Sequence, residues 1–128
     1  MSERTAVVRR FIEAFRARDL DRIMLFFTDD CVYHNIPLDP VKGPAAIKAV
    51  LQGFVGMSTA IEFELLQIAE NEAGVVLTER VDKFEIGGKW VAIPVMGAFE
   101  LNEANKICAW RDYFDLAQFT KQLPGAPS

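Results

Sequence analysis

The sequence predicts an α+β fold in which helices come first, a run of long strands follows, and the helices pack on one face of the sheet. Three observations carry this. Apolar residues recur at helical three- and four-residue spacings as far as Phe54, then alternate at the two-residue period of strands from Ala60 to Phe114. The breaks between the later runs, at residues 71–74, 87–88 and 102–105, have the Asn- and Gly-rich chemistry of hairpin turns. Glycines and Pro94 interrupt the strand-like runs, so the sheet is expected to curve. A curved sheet capped by helices encloses a pocket on its concave side.

Residues 4–16 place Val7, Val8, Phe11, Ile12 and Phe15 on one helical face, with Arg9, Arg10 and Glu13 on the wet side. Asp19 is positioned to cap a short second helix carrying Leu20, Ile23, Met24 and Phe27, which ends at Thr28-Asp29-Asp30. Residues 31–36 read as a short strand stopped by Pro37 and Pro40. Gly43-Pro44 opens a third helix, with proline at a first-turn position, through Ile47, Val50, Leu51 and Phe54; Gly53, Gly56 and Ser58 mark its fraying end. Four strands are then expected, over residues 60–69, 74–85, 90–101 and 106–114, followed by a helical turn at 116–123. The whole of 1–128 is expected to be one domain, with a flexible tail at about 124–128.

A chain of 128 residues that is 51% hydrophobic, with ten phenylalanines, has the material for a sizeable core. A formal charge of −4 with scattered lysines and arginines argues against a nucleic-acid partner. No apolar run approaches the roughly 20 residues of a membrane helix, and nothing reads as a signal peptide. Cys31 and Cys108 do not make a disulfide framework, so buried free thiols in a cytoplasmic protein are expected.

The residues that stand out are polar groups on apolar strands. Arg80 and Asp82 share a face with Thr78 and Phe84, and Asp112 shares one with Trp110 and Phe114; Glu79, Val81, Arg111 and Tyr113 point the other way. Arg111 is expected to pair with Asp115 at the surface. Tyr33 and Asn35 share a face that His34 does not, so the single histidine is directed away from any site they line. No cluster has metal-ligand spacing and no glycine loop cradles a phosphate. Two readings of Arg80, Asp82 and Asp112 stand open. One is a structural ion-pair scaffold. The other starts from charge: two carboxylates and one guanidinium leave a net negative charge in an apolar setting, which desolvation relieves by keeping one proton on the pair. One protonated and one ionised carboxyl group is the equipment for paired general acid and base catalysis. The scaffold reading leaves Tyr33 and Asn35 without a role.

Four blocks also carry a resemblance. Tyr33-His34-Asn35-Ile36-Pro37-Leu38-Asp39-Pro40, Thr78-Glu79-Arg80-Val81-Asp82, Gly97-Ala98-Phe99 and Trp110-Arg111-Asp112-Tyr113-Phe114-Asp115-Leu116 together resemble the limonene-1,2-epoxide hydrolase family, in order and spacing, over nearly the whole chain. The resemblance implies a cone-shaped α+β fold similar to nuclear transport factor 2 and ketosteroid isomerase, with a curved mixed sheet around a deep apolar pocket. It implies one-step hydrolysis of an epoxide to a vicinal diol with no covalent intermediate and no cofactor. Asp112 would be the base, Tyr33 and Asn35 the water holders, Asp82 the acid, and Arg80 the bridge between the two carboxylates. Met57, Phe84, Ile93, Val95 and Phe114 are the expected substrate-binding residues, and their character favours an apolar, cyclic or terpene-like epoxide. The resemblance further implies a homodimer formed through the outer face of the sheet. The chain departs from the family in starting directly on its first helix, so packing around the pocket floor is expected to differ. The alternatives are an isomerase or cyclase, which would need an oxyanion-stabilising group where Arg80 stands, and a non-catalytic ligand-binding module on the same fold.

Overall fold

In the computed structural model, which describes residues 2–125, the chain runs α1 (Glu3–Arg16), α2 (Leu20–Met24), β1 (Phe27–Asn35), β2 (Val41–Lys42), α3 (Pro44–Met57), β3 (Ala60–Glu70), β4 (Val76–Ile86), β5 (Lys89–Leu101), β6 (Ile107–Tyr113) and α4 (Leu116–Thr120). The strands form one sheet in the order β2-β1-β6-β5-β4-β3. The β1–β6 pair is parallel and every other pair is antiparallel, so the sheet is mixed, as expected. Register shifts lie between Phe27 and Val32, Leu65 and Gln67, and Glu100 and Leu101. Such bulges bend strands, and the bent sheet wraps its inner face around the helices. Pro94 is tolerated because β6 pairs with β5 only from Met96 onward, so at Pro94 one side of β5 has no strand to bond.

The helices form where their caps say they should. Ser2 Oγ accepts from Thr5 N at the start of α1, and Asp19 Oδ1 accepts from Arg22 N at the start of α2. The apolar stripe of α1 buries Val8, Phe11 and Phe15 against the sheet, where the Phe11 ring meets Trp110 edge-on with centroids 5.0 Å apart. In β4 the alternation is strict, with Val76, Thr78, Arg80, Asp82, Phe84 and Ile86 all buried.

Several boundaries differ from expectation; β4 begins at Val76 and α4 ends at Thr120, and the larger differences come earlier in the chain. α2 stops at Met24, and residues 27–30 are already strand, because Phe27 pairs with Ile107 and the N–H of Ile107 bonds the Phe26 carbonyl at 2.8 Å. That pairing comes from the far end of the chain and overrides the local pattern. α3 runs through Gly53 and Gly56 to Met57, held by Ile47 and Leu51 in the core and finished by Ser58 Oγ donating to the Phe54 carbonyl. The two-residue strand β2 was not anticipated. Of the tail expected to be flexible, residues 126–128 lie outside the described residues, while Pro124 lies against Gly87 of the β4–β5 turn.

Both cysteines are free, Cys31 buried and Cys108 half-buried rather than fully enclosed. Burial pushes the Cys31 thiol up to about 12, so it is an unreactive core thiol. Among the described residues no helix is long and apolar enough to cross a membrane.

Candidate active site

Strand register brings distant residues into one transverse row. Asn35 of β1 lies beside Asp112 of β6, Asp112 beside Gly97 of β5, and Gly97 beside Thr78 of β4. Arg80 and Asp82 follow along β4 on the same face. Neighbouring strands are about 4.8 Å apart, so Arg80 must cross β5 to reach Asp112. Gly97 is what it crosses. A Cβ there would collide with Arg80 Nη1 and sit 2.8 Å from both Asp112 Oδ1 and Thr78 Oγ1.

The guanidinium of Arg80 is fully buried, and each edge meets oxygen. Nε donates to Asp82 Oδ1 at 3.0 Å and Nη2 to Asp82 Oδ2 at 3.0 Å, a two-point fork. Nη2 also donates to Asp112 Oδ2 at 2.8 Å, and Nη1 to Thr78 Oγ1 at 2.9 Å. The Phe63 and Phe99 rings lie 5.7 and 5.9 Å from Cζ. Asp112 Oδ1 accepts from the indole N–H of Trp110 at 2.8 Å. The Trp110 ring stacks on Tyr33 with centroids 4.1 Å apart, and the Asn35 side chain neighbours the Tyr33 phenol. All five polar residues expected at the site, Tyr33, Asn35, Arg80, Asp82 and Asp112, are therefore brought together.

Burial raises Asp82 above the ordinary carboxylate range; Arg80 opposes this through its charge and hydrogen bonds, and the Asp112 charge adds to the rise. Desolvation of two carboxyl groups beside one guanidinium favours keeping a proton on the pair. Burial also raises the Tyr33 phenol, so it stays protonated, and the two carboxylates hold Arg80 firmly in its charged form despite burial.

Tyr33, Asn35, Asp82 and Asp112 form the polar part of the wall of a cavity of about 100 Å³, with Arg80 buried behind them. That is several times the roughly 10–15 Å³ a single water needs. Phe84, Ile93, Val95 and Phe114 line it, together with Phe15, Leu38, Leu51, Phe54, Phe63, Trp110, Leu116 and Phe119. Met57 does not line it: the residue is 43% exposed at the end of α3. At about 100° per residue the stripe of Ile47, Leu51 and Phe54 continues at position 58, and it is Ser58 that is buried there. Leu38 reaches the cavity because its N–H bonds the Asn35 carbonyl at 2.7 Å, while His34 Nε2 lies 2.9 Å from the Leu38 carbonyl oxygen on the outer side. Arg111 pairs with Glu100 across the strands and not with Asp115, which instead caps α4 by accepting from Gln118 N. Thr78 and Gly97 were visible in the sequence only as neighbours of the catalytic candidates. Among the described residues no group of three or more His, Cys, Asp or Glu stands together as a metal site.

Residues 2–125 match the family described as the limonene-1,2-epoxide hydrolase catalytic domain. The chain is 34% identical over 119 residues to the epoxide hydrolase EphG of Mycobacterium tuberculosis, covering 91% of this chain and 76% of that protein. Among solved structures, an LEH-like epoxide hydrolase of M. tuberculosis superposes with a TM-score of 0.80 at 32% identity, covering 94% of this chain and 89% of that one. A putative SnoaL-like polyketide cyclase of Shewanella putrefaciens superposes with a TM-score of 0.83 at 16% identity, covering 95% and 96%, a likeness of fold.

Proposed function

Because the chain belongs to the limonene-1,2-epoxide hydrolase family, whose reaction is epoxide hydrolysis, we propose that it adds water to an apolar, cyclic or terpene-like epoxide in one step and releases a vicinal diol. The observation that carries this reading is that Asp82 and Asp112, both on the wall of a largely apolar cavity, share the single Nη2 of the fully buried Arg80 behind them.

In this scheme Tyr33 and Asn35 hold a water beside Asp112. The water oxygen attacks a ring carbon while its proton passes to Asp112. The ring C–O bond breaks, and the departing oxygen takes the proton of Asp82, so no free alkoxide forms. Holding water and epoxide together replaces a bimolecular encounter. After turnover Asp112 carries the proton and Asp82 is ionised; the net charge beside Arg80 has not changed. A proton returned from Asp112 to Asp82 resets the site. Acid and base both come from side chains, and the scheme draws on no cofactor or metal. We further propose that the protein works in the cytoplasm as one domain and as a homodimer through the outer sheet face, where Leu77, Met96 and Tyr113 are exposed.

The deciding experiment is a panel of epoxides with chiral analysis of the diols, combined with a single turnover in heavy-oxygen water. Label directly in the diol is expected. Label entering Asp82 or Asp112 first would replace the one-step scheme with a covalent one. Tight binding of apolar amides or diols with no turnover anywhere in the panel would turn the site into a binding module.

A further inference from the structure

Thr78 is 1% exposed and does not line the cavity, yet its hydroxyl oxygen accepts from Arg80. The fork onto Asp82 fixes the Nε and Nη2 edge of the guanidinium, and two points define only an axis. The plane can still hinge about that axis, and Nη1 lies off it. The bond from Nη1 to Thr78 Oγ1 fixes the hinge angle, and with it the direction of the second Nη2–H, which points to Asp112 Oδ2. Phe63 and Phe99 bound the motion from the ring side but offer no directional partner. Gly97 supplies the slot in which this one orientation fits. Resting on the acid–base reading given above, there is a further asymmetry. Asp82 and Asp112 exchange protonation states during turnover, whereas Thr78 is the one partner of Arg80 whose charge never changes.

We propose that Thr78 is a positioning residue for the hydrolysis: as a neutral anchor for Nη1, it keeps Nη2 between the two carboxylates while their charges exchange. It acts through Arg80 and does not touch substrate.

The test compares Thr78→Val, which keeps the shape and removes the acceptor, with Thr78→Ser, which keeps the acceptor and removes a methyl group. The valine variant is expected to lose about tenfold to a hundredfold in kcat, with KM within about twofold of wild type because ground-state binding is untouched. The serine variant is expected to retain most of the wild-type kcat. A purely structural role gives the opposite order: valine would keep kcat per folded molecule, and serine would be the weaker protein. That order would overturn the proposal. If the valine variant does not fold, Thr78→Ala against Thr78→Ser gives the same contrast. A second measurement is independent of turnover: the Arg80 Nη1 protons, followed by NMR, are expected to exchange slowly in wild type and the serine variant and rapidly in the valine variant. Unchanged Nη1 exchange in the valine variant defeats the role of Thr78 even if epoxides are hydrolysed. A wild-type protein that hydrolyses no epoxide defeats the reaction assigned to the site, and the exchange measurement still decides whether Thr78 anchors Arg80.

Discussion

The indole Nε1–H of Trp110 donates to Oδ1 of Asp112, two residues further along the same face of β6. Arg80 occupies the other oxygen, so one fixed donor sits on each oxygen and the remaining lone pairs are left for water. Trp110→Phe keeps an aromatic ring against Phe11, Tyr33 and Phe99 but frees Oδ1. We expect kcat to fall about tenfold, in keeping with a loosened general base, and stability to fall by about 1–3 kcal/mol. Steady-state kinetics and urea denaturation of the same preparation check both.

Asp82→Asn has the shape and charge of the protonated acid, so the site stays neutral and folded but has no proton to give. Asp112→Asn removes the proposed base; Asp82 then ionises against Arg80, and neutrality is again preserved. Both variants should lose about a thousandfold or more in kcat, within the range attributed to a positioned acid or base, while far-ultraviolet circular dichroism remains native. Near-wild-type turnover in either would remove that residue from the mechanism.

Arg80→Gln does the reverse. It leaves two buried carboxylates without their guanidinium, and breaking a buried pair from one side costs about 3–5 kcal/mol. Chemical denaturation should show this loss near neutral pH, and it should shrink as the pH falls and the carboxylates protonate.

The pH dependence of Asp82 has a definite sign. Its folded value is raised by burial, so the folded state binds its proton more tightly than the unfolded chain does. The stability this confers is complete below the unfolded value of about 4 and is lost as pH rises through the folded value. The stability of wild type relative to Asp82→Asn should therefore decline across that window and level off above it. The alkaline limb of the kcat/KM profile, which reports the free enzyme, should coincide with the upper end of the decline, since the proposed acid is lost there.

Within the cavity, Ile93 lies beside Asp82 across the β4–β5 pair and Phe84 stands two residues along β4. Ile93→Ala and Phe84→Ala should raise kcat/KM for bulkier epoxides relative to compact ones, each with a stability cost of about 2–5 kcal/mol. Met57→Ala should change neither kinetic constant, because that side chain is outside the cavity. A competition assay with a small and a large epoxide in one vessel reads the ratio directly.

Much of the site was legible because alternation in a strand determines face. Arg80 with Asp82, Tyr33 with Asn35, and Trp110 with Asp112 each follow from a spacing of two. Alternation does not determine register. That Gly97 falls between Thr78 and Asp112 is a long-range alignment, and the crossing of Arg80 over it was invisible in the sequence. The misplaced pairing of Arg111 has the same origin, since Glu100 is a cross-strand neighbour and Asp115 a sequence neighbour. Phe27 was assigned to a helix because its strand partner, Ile107, lies at the other end of the chain. Met57 lies outside the cavity for a different reason: the stripe of Ile47, Leu51 and Phe54 continues at position 58, so the inward place at the end of α3 belongs to its C-cap, Ser58.

The parallel pairing of β1 with β6 has a consequence for the order of folding. The proposed water holders are on the first strand and the proposed base is on the last, so the site stays incomplete until the two ends of the chain pair side by side within the sheet. Contacts so distant in sequence form slowly. A chain interrupted before β6 would hold Arg80 and Asp82 but not the base, and refolding followed by hydrolysis should lag behind refolding followed by helix signal. Catalysis thus reports the closing of the last strand, and serves as a readout of complete assembly.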